Sequence, residues 1–361
     1  MFDVFGKLGA LLKIDPVSID NITFRFHYKV TMIILVTFSL LVTSRQYFGD
    51  PISCIGDDFE TEAIDVYCWI QSTFTIPALT GAIIGVEVAH PGVASLGQAE
   101  DQYVVRHHKY YQWVTLFLFF QALMFYMPRY FWKCWEGGRV KALVENLNTP
   151  VVTPEEKKER LHVVLGYFSR YFHYHDLYAY QFFLCEIMNF VNVVGQIYFT
   201  DRFLDYGFST YGTRVLEYTE QEIGSRHDPM DEVFPKVAKC TFHRFGPSGT
   251  IMRHDVLCVL PLNILNEKIF VFLWFWFIIV AVISGCGLVY RMATFSSSFR
   301  HLLLRGRSRL ALADQLESIS KKCQIGDWFL LYLLAKNMDP YIYKDFIRHL
   351  DSTLPEKDLK A

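Results

Sequence analysis

Cys240, His243, His254 and Cys258 stand at C-x2-H and H-x3-C spacings, which suit a tetrahedral zinc site. The residues between them compete with that reading. TFHRFGPSGTIMRHDVL alternates apolar and polar residues on both sides of Gly246-Pro247-Ser248-Gly249, the pattern of a β hairpin about a tight turn. Cys54 and Cys68 supply a second cysteine pair, so disulfides are the stronger expectation and no metal is expected. Four such cysteines allow three connectivities, among which sequence does not choose. His173, His175 and Asp176 form another cluster, for which hydrogen bonding is expected rather than a metal. A phosphate-binding glycine loop, H-E-x-x-H and G-x-S-x-G are all missing, so no catalytic residue and no cofactor is expected, and the chain does not read as an enzyme.

What positions these residues is a set of apolar runs. Ile269 to Tyr290 (IFVFLWFWFIIVAVISGCGLVY) holds no charge and is fenced by Glu267, Lys268 and Arg291. At about 1.5 Å per helical residue it reaches roughly the ~30 Å of a bilayer's hydrocarbon core. Three further runs qualify: 30–45, which follows Lys29 and ends on Arg45; 110–128 between Lys109 and Arg129, with aromatic residues suited to the interface at both ends; and 177–200 between Asp176 and Asp201. Pro128 is expected to end or kink the second. Along the third, Gln181, Glu186, Asn189, Asn192 and Gln196 fall within an arc of about 140° at 100° per residue. Such a stripe must meet other helices or water. Glu186 in particular needs a partner or a wetted path. The polar residues of the first run, Thr31, Thr37, Ser39, Thr43 and Ser44, show no single stripe.

Four spans put both termini on one side. Arg25 and Lys29, then Arg129, Lys133, Arg139 and Lys141, then Arg291, Arg300, Arg305, Arg307 and Arg309 flank the ends that share that side, which the positive-inside rule makes cytoplasmic. The resulting division is an N-terminal segment 1–29, outer loops 46–109 and 201–268, an inner loop 129–176 and a helical tail 291–361. Cys54, Cys68, Cys240 and Cys258 then fall outside, where disulfides persist. The sequon Asn21-Ile22-Thr23 falls inside and should stay unglycosylated. Thr153-Pro154-Glu155-Glu156 reads as a helix start with a capping box. Trp328 to Ala335, after Asp327 as a cap, is too short to span and reads as the core of the tail. Phe2, Val4, Phe5, Leu8, Leu11 and Leu12 favour one face of a short amphipathic helix. The fold class is therefore an all-α membrane protein: a four-helix bundle with disulfide-stapled outer loops, a small hairpin and a helical inner domain. With Lys plus Arg at 35 against Asp plus Glu at 37, nothing calls for nucleic acid. Membrane lipids are the expected surroundings.

The chain resembles the innexins, the invertebrate gap-junction family, of insect type and over essentially its whole length. The carrying motifs are Tyr110-Tyr111-Gln112-Trp113-Val114, CWEGG at Cys134 to Gly138, the two outer cysteine pairs, KCTFHRFGPSG from Lys239, LPLNILNEKI from Leu260, and FLWFWFI in the last span. The resemblance implies a plasma-membrane, gap-junction location and a ring of subunits, an octamer, that docks head to head with a second ring and passes ions and small metabolites between adjacent cells. Other innexins are implied as further partners. It also implies that Met1, Phe2, Asp3, Val4 and Phe5 fold into the pore, that the first span lines its wall, and that Cys54 pairs with Cys258 and Cys68 with Cys240. Asp3 would then repeat as a ring of charge, partly offset by Lys7. Two alternatives stand beside this: a non-junctional hemichannel, which the absence of outer N-x-S/T sequons disfavours, and a four-span adhesion protein without a pore.

Overall fold

The computed structural model describes residues 16–56, 61–94, 104–149, 153–220 and 228–354. The N-terminal stretch expected to form an amphipathic helix, and Met1 to Phe5 expected in the pore, lie outside them. Four helices are long and apolar enough to cross a membrane: Ile22–Phe48, Val114–Glu136, Asp176–Phe203 and Pro261–Ala293. All extend beyond their apolar runs, the second at its C-terminal end only, because a helix continues through interfacial polar residues as long as its backbone groups stay paired. The first contains a π-helical stretch, Phe26–Thr31. The second does not end at Pro128 but carries it internally and runs on to Glu136. Within a bundle of helices, neighbouring groups compensate for the hydrogen bond that proline cannot make.

Two compact units divide the chain, one comprising residues 31–123 and 193–279, the other 1–30, 124–192 and 280–361. The first unit holds an antiparallel five-stranded sheet in the order β1-β5-β4-β2-β3, with β1 Ser53–Ile55, β2 Thr73–Thr75, β3 Arg106–His108, β4 Val237–Phe245 and β5 Ile251–Val259. The hairpin expected from sequence is β4-β5, turning at Gly246 to Gly249, where Gly249 takes φ +79°. The other three strands are three residues each, too short to show an alternation. A helix, Thr61–Gln71, joins the sheet's core of Ile52, Ile64, Tyr111, Ala238 and Val256.

The second unit is helical throughout its described residues. Its core gathers Trp132, Phe168, Phe182, Trp328, Phe329 and Phe346 from the inner loop, the spans and the tail. Trp328 to Leu331 are all buried, as expected of a packed tail helix, here Ile325–Asn337. Its cap is Gln324 rather than Asp327, which instead occupies the third helical position and completes a capping box. Thr153 sits at the N-cap of Pro154–Arg170 without a side-chain bond, and Glu156 accepts from Asn146 at 2.9 Å, so no capping box forms there. Proline at the first helical position already removes one unpaired donor.

Candidate functional site

In the first unit the sulfurs of Cys54 and Cys258 are 2.10 Å apart and those of Cys68 and Cys240 2.05 Å apart. Cys54 lies directly across from Cys258 in the β1-β5 ladder. The Cys54 backbone N–H turns away and donates to Asp65 at 2.6 Å, which ties the strand to the Thr61–Gln71 helix. Cys68, on that same helix, reaches β4 through Cys240. The two bridges therefore bind a strand and a helix from residues 53–71 to both strands of a hairpin nearly two hundred residues later in the chain.

This arrangement also decides the zinc question. In the ladder His254 faces Phe242 and His243 faces Arg253, so the two imidazoles leave opposite faces of the ribbon. Among the described residues, the sulfurs of Cys54, Cys68 and Cys258 come within 4.8 Å of one another, but all three are spent in disulfides and offer no thiolate to a metal.

Tyr110 to Val114 fasten this domain to the second span. Tyr110–Gln112 is a 3-10 turn and the α-helix begins at Val114. Tyr111 is fully buried with its ring 4.5 Å from that of Trp69, Tyr110 meets Phe234 edge-on at 5.5 Å, and Gln112 donates to the carbonyls of Trp69 and Ile70. Tyr111 is thus a core residue and Tyr110, half-buried, packs against that core, whereas Trp113 is exposed as a belt residue would be. Asn263, from the LPLNILNEKI motif, donates to the Pro235 carbonyl at 2.7 Å and joins the last span to the strand β4 approach.

His108 on β3 is buried, with Nε2 2.7 Å from the Thr75 hydroxyl. Burial, aided by the charges of Arg106 and His107, lowers its pKa to about 3. It stays neutral at any physiological pH.

In the second unit Glu186 finds its partner in Arg291, whose Nε and Nη2 donate to the carboxylate at 2.6 and 2.8 Å. Asn21 Nδ2 donates to Glu186 Oε1 at 2.6 Å, while Asn21 Oδ1 caps the first span by accepting from the Phe24 N–H. The guanidinium also lies over the ring of Phe183 at 4.7 Å and of Phe182 at 5.2 Å. Asn189 and Gln196 are buried and Gln181 and Asn192 half-buried, so the polar stripe of the third span packs against protein. Nothing in the sequence of the third span marks Arg291. The signal was its place as the first cation after the longest uncharged run.

The second histidine cluster closes on a residue that sequence reading took for a simple cap. Asp327, fully buried, accepts from His173 Nδ1 at 3.1 Å, from the His173 backbone N–H and from His175 Nδ1 at 2.8 Å. Asp176 accepts from the Gly326 N–H at 2.7 Å. The CWEGG motif has a local reason too. Gly137 and Gly138 take left-handed φ of +62° and +82°, and Glu136 folds back to accept from the Gly138 and Val140 N–H groups, both at 2.7 Å.

A family model described as Innexin matches residues 20–354. Innexin inx2 of Schistocerca americana is 59% identical over 360 residues, covering 99% of this chain and 100% of that protein. Innexin inx2 of Drosophila melanogaster is 59% identical over 351 residues, with 97% and 95% covered, and Innexin shaking-B of the same organism 43% over 357 residues, with 98% and 95% covered. Together with four apolar helices and a doubly bridged sheet, these likenesses establish that the chain belongs to the innexin family.

Proposed function

We propose that this innexin is one subunit of a large-pore gap-junction channel in the plasma membrane, built as an octameric ring that docks head to head with a second ring and admits other innexins as partners. Near-full-length identity of 59% to insect innexins carries the reading. Both termini face the cytoplasm, as the loop cations favour. The bridged sheet then faces outward as the docking element, its two disulfides holding strands from both outer loops in one rigid piece. Work of this kind is conduction rather than catalysis, and no cofactor is required.

The wall of the pore falls to the first span. Thr37, Leu41, Ser44 and Phe48 are exposed and recur at helical spacing along one side, while Ser39 turns inward and donates to the Thr115 carbonyl at 3.0 Å. Two hydroxyls on an exposed face suit water better than lipid. The segment Met1 to Phe5, with Asp3 as a ring of charge, forms the narrow cytoplasmic entrance. Selectivity follows from width and ring charge, since each residue repeats around the axis.

The test is conductance between two paired cells expressing only this protein, with single-cell current recorded alongside. Current between the cells, changed by a thiol reagent in Thr37→Cys, supports the junctional channel and its lining. Single-cell current without junctional current points to a hemichannel, and silence in both despite surface expression to adhesion without a pore.

A further inference from the structure

A cavity of about 480 Å³ in the second unit is lined by Ile22, Ile283 and Cys286 together with Arg307, Tyr332 and Lys336. Its size falls in the ~300–1,000 Å³ range of ligand-holding clefts. From Ile283 to Arg291 the fourth span rises about 12 Å at 1.5 Å per residue, so the lining passes from apolar to cationic over the depth of one lipid headgroup and its first methylenes.

The charge balance inside is positive. Asp20, the acid in the lining, is already engaged by Arg25 at 3.1 Å, Arg129 at 3.4 Å and the Tyr28 hydroxyl at 2.8 Å. Glu186 is taken up by Arg291. Lys336 spends one proton on the Asp20 carbonyl at 2.6 Å. Burial is the main cause that lowers its pKa; Arg25 and Arg307 add to this and Asp20 opposes it. Arg307 has no acidic partner among the described residues. It closes the Ser297–Arg307 helix, which also carries Arg300 and Arg305 and leaves Leu302 62% exposed, as a basic amphipathic helix does on an anionic bilayer surface.

We infer that this cavity is a site for an anionic glycerophospholipid of the inner leaflet, its phosphate held by Arg307 and Lys336 and its chains laid along Ile283, Cys286 and Ile22. The leaflet assignment rests on the inward-facing termini proposed above; the site itself does not. A lipid seated here touches the start of the first span, the end of the fourth and the tail at once.

The experiment is native mass spectrometry of the full-length protein in detergent, titrated with dioleoyl phosphatidylserine and dioleoyl phosphatidylcholine. Phosphatidylserine should be retained preferentially. Arg307→Gln should weaken its retention about fivefold, the factor that ~1 kcal/mol per basic residue near an anionic surface implies. Arg305→Gln, the same charge change on the same helix but outside the cavity, should change retention by less than about twofold, and Cys286→Phe, which fills the apolar part, should reduce it for both lipids. Equal effects of the two arginine variants, or no preference between the lipids, would overturn the site in favour of general surface charge. Displacement of the lipid by inorganic phosphate alone would overturn it in favour of a free-anion pocket, and a gain in lipid binding on deleting residues 1–15 would give the cavity to the chain's own N-terminal segment. Conductance is not read in this assay, so its failure leaves the channel reading standing, and failure of the channel reading leaves the binding result unaffected.

Discussion

Glu186 and Arg291, 105 residues apart in the chain, meet as a bidentate pair with both members buried. The carboxylate's second oxygen also serves Asn21, so the start of the first span, the middle of the third and the end of the fourth are tied at one point. Breaking a buried pair from one side leaves an uncompensated charge and costs about 3–5 kcal/mol, whereas removing both charges costs far less. Glu186→Leu or Arg291→Met alone should abolish surface delivery or lower the melting temperature sharply in detergent. The double variant should recover most of the loss. If the double variant were as unstable as the sum of the singles, the pair would not be coupled.

The two disulfides should be separable from folding of the spans. Cys54→Ser releases β1 from β5, and Cys68→Ser releases the Thr61–Gln71 helix from β4. Loss of a native disulfide typically costs about 2–5 kcal/mol. Either variant should reach the membrane with reduced yield and show junctional conductance at background level. Full junctional conductance in both variants would remove the bridged sheet from docking.

His108 gives a pH signature to the five-stranded sheet. Its folded pKa of about 3 lies below the ordinary value of 6.5, so the unfolded chain binds the extra proton between the two. The stability this group confers is present in full above pH 6.5 and is lost as pH falls toward 3. Between pH 6.5 and pH 5 the loss is about 2 kcal/mol at ~1.36 kcal/mol per unit. The melting temperature of purified protein should fall over that interval, and His108→Gln should flatten the fall. A variant with the same slope as the parent would place the titrating group elsewhere.

Much of this architecture was legible because its causes are local. Apolar length declares the spans and the Gly246 to Gly249 turn declares the hairpin, while the cysteine pairing came only from the resemblance to innexins. The strands β1 to β3 were not legible, since three residues carry no period and their pairing is fixed by β4 and β5 from far along the chain. Tyr110 and Tyr111 misled for a related reason. A tyrosine at the end of an apolar run looks the same whether it meets headgroups or a packed core beyond the span. That Arg291 pairs with Glu186 and Asp327 with His175 was not legible, because each pairing is a fold-dependent meeting of residues more than a hundred positions apart.

Gly326 tests how tightly the tail is joined to the start of the third span. A Cβ placed there would lie 2.1 Å from the His175 carbonyl carbon and 2.3 Å from the Asp176 nitrogen, both backbone atoms that no rotamer change can move. The close approach is what lets the Gly326 N–H donate to Asp176 at 2.7 Å and lets Asp327 reach His173 and His175. Gly326→Ala should therefore separate two backbones and weaken both contacts together, at a cost of about 1–3 kcal/mol or more as overpacking usually brings. Asp327→Asn keeps the shape but removes the charge from the two imidazoles, so it should cost less than Gly326→Ala while acting on the same segment. Hydrogen exchange at residues 171–179 and 324–330 reads the difference: both variants should lose protection in both segments at once. Loss confined to the tail would mean that the tail docks on the span without holding it.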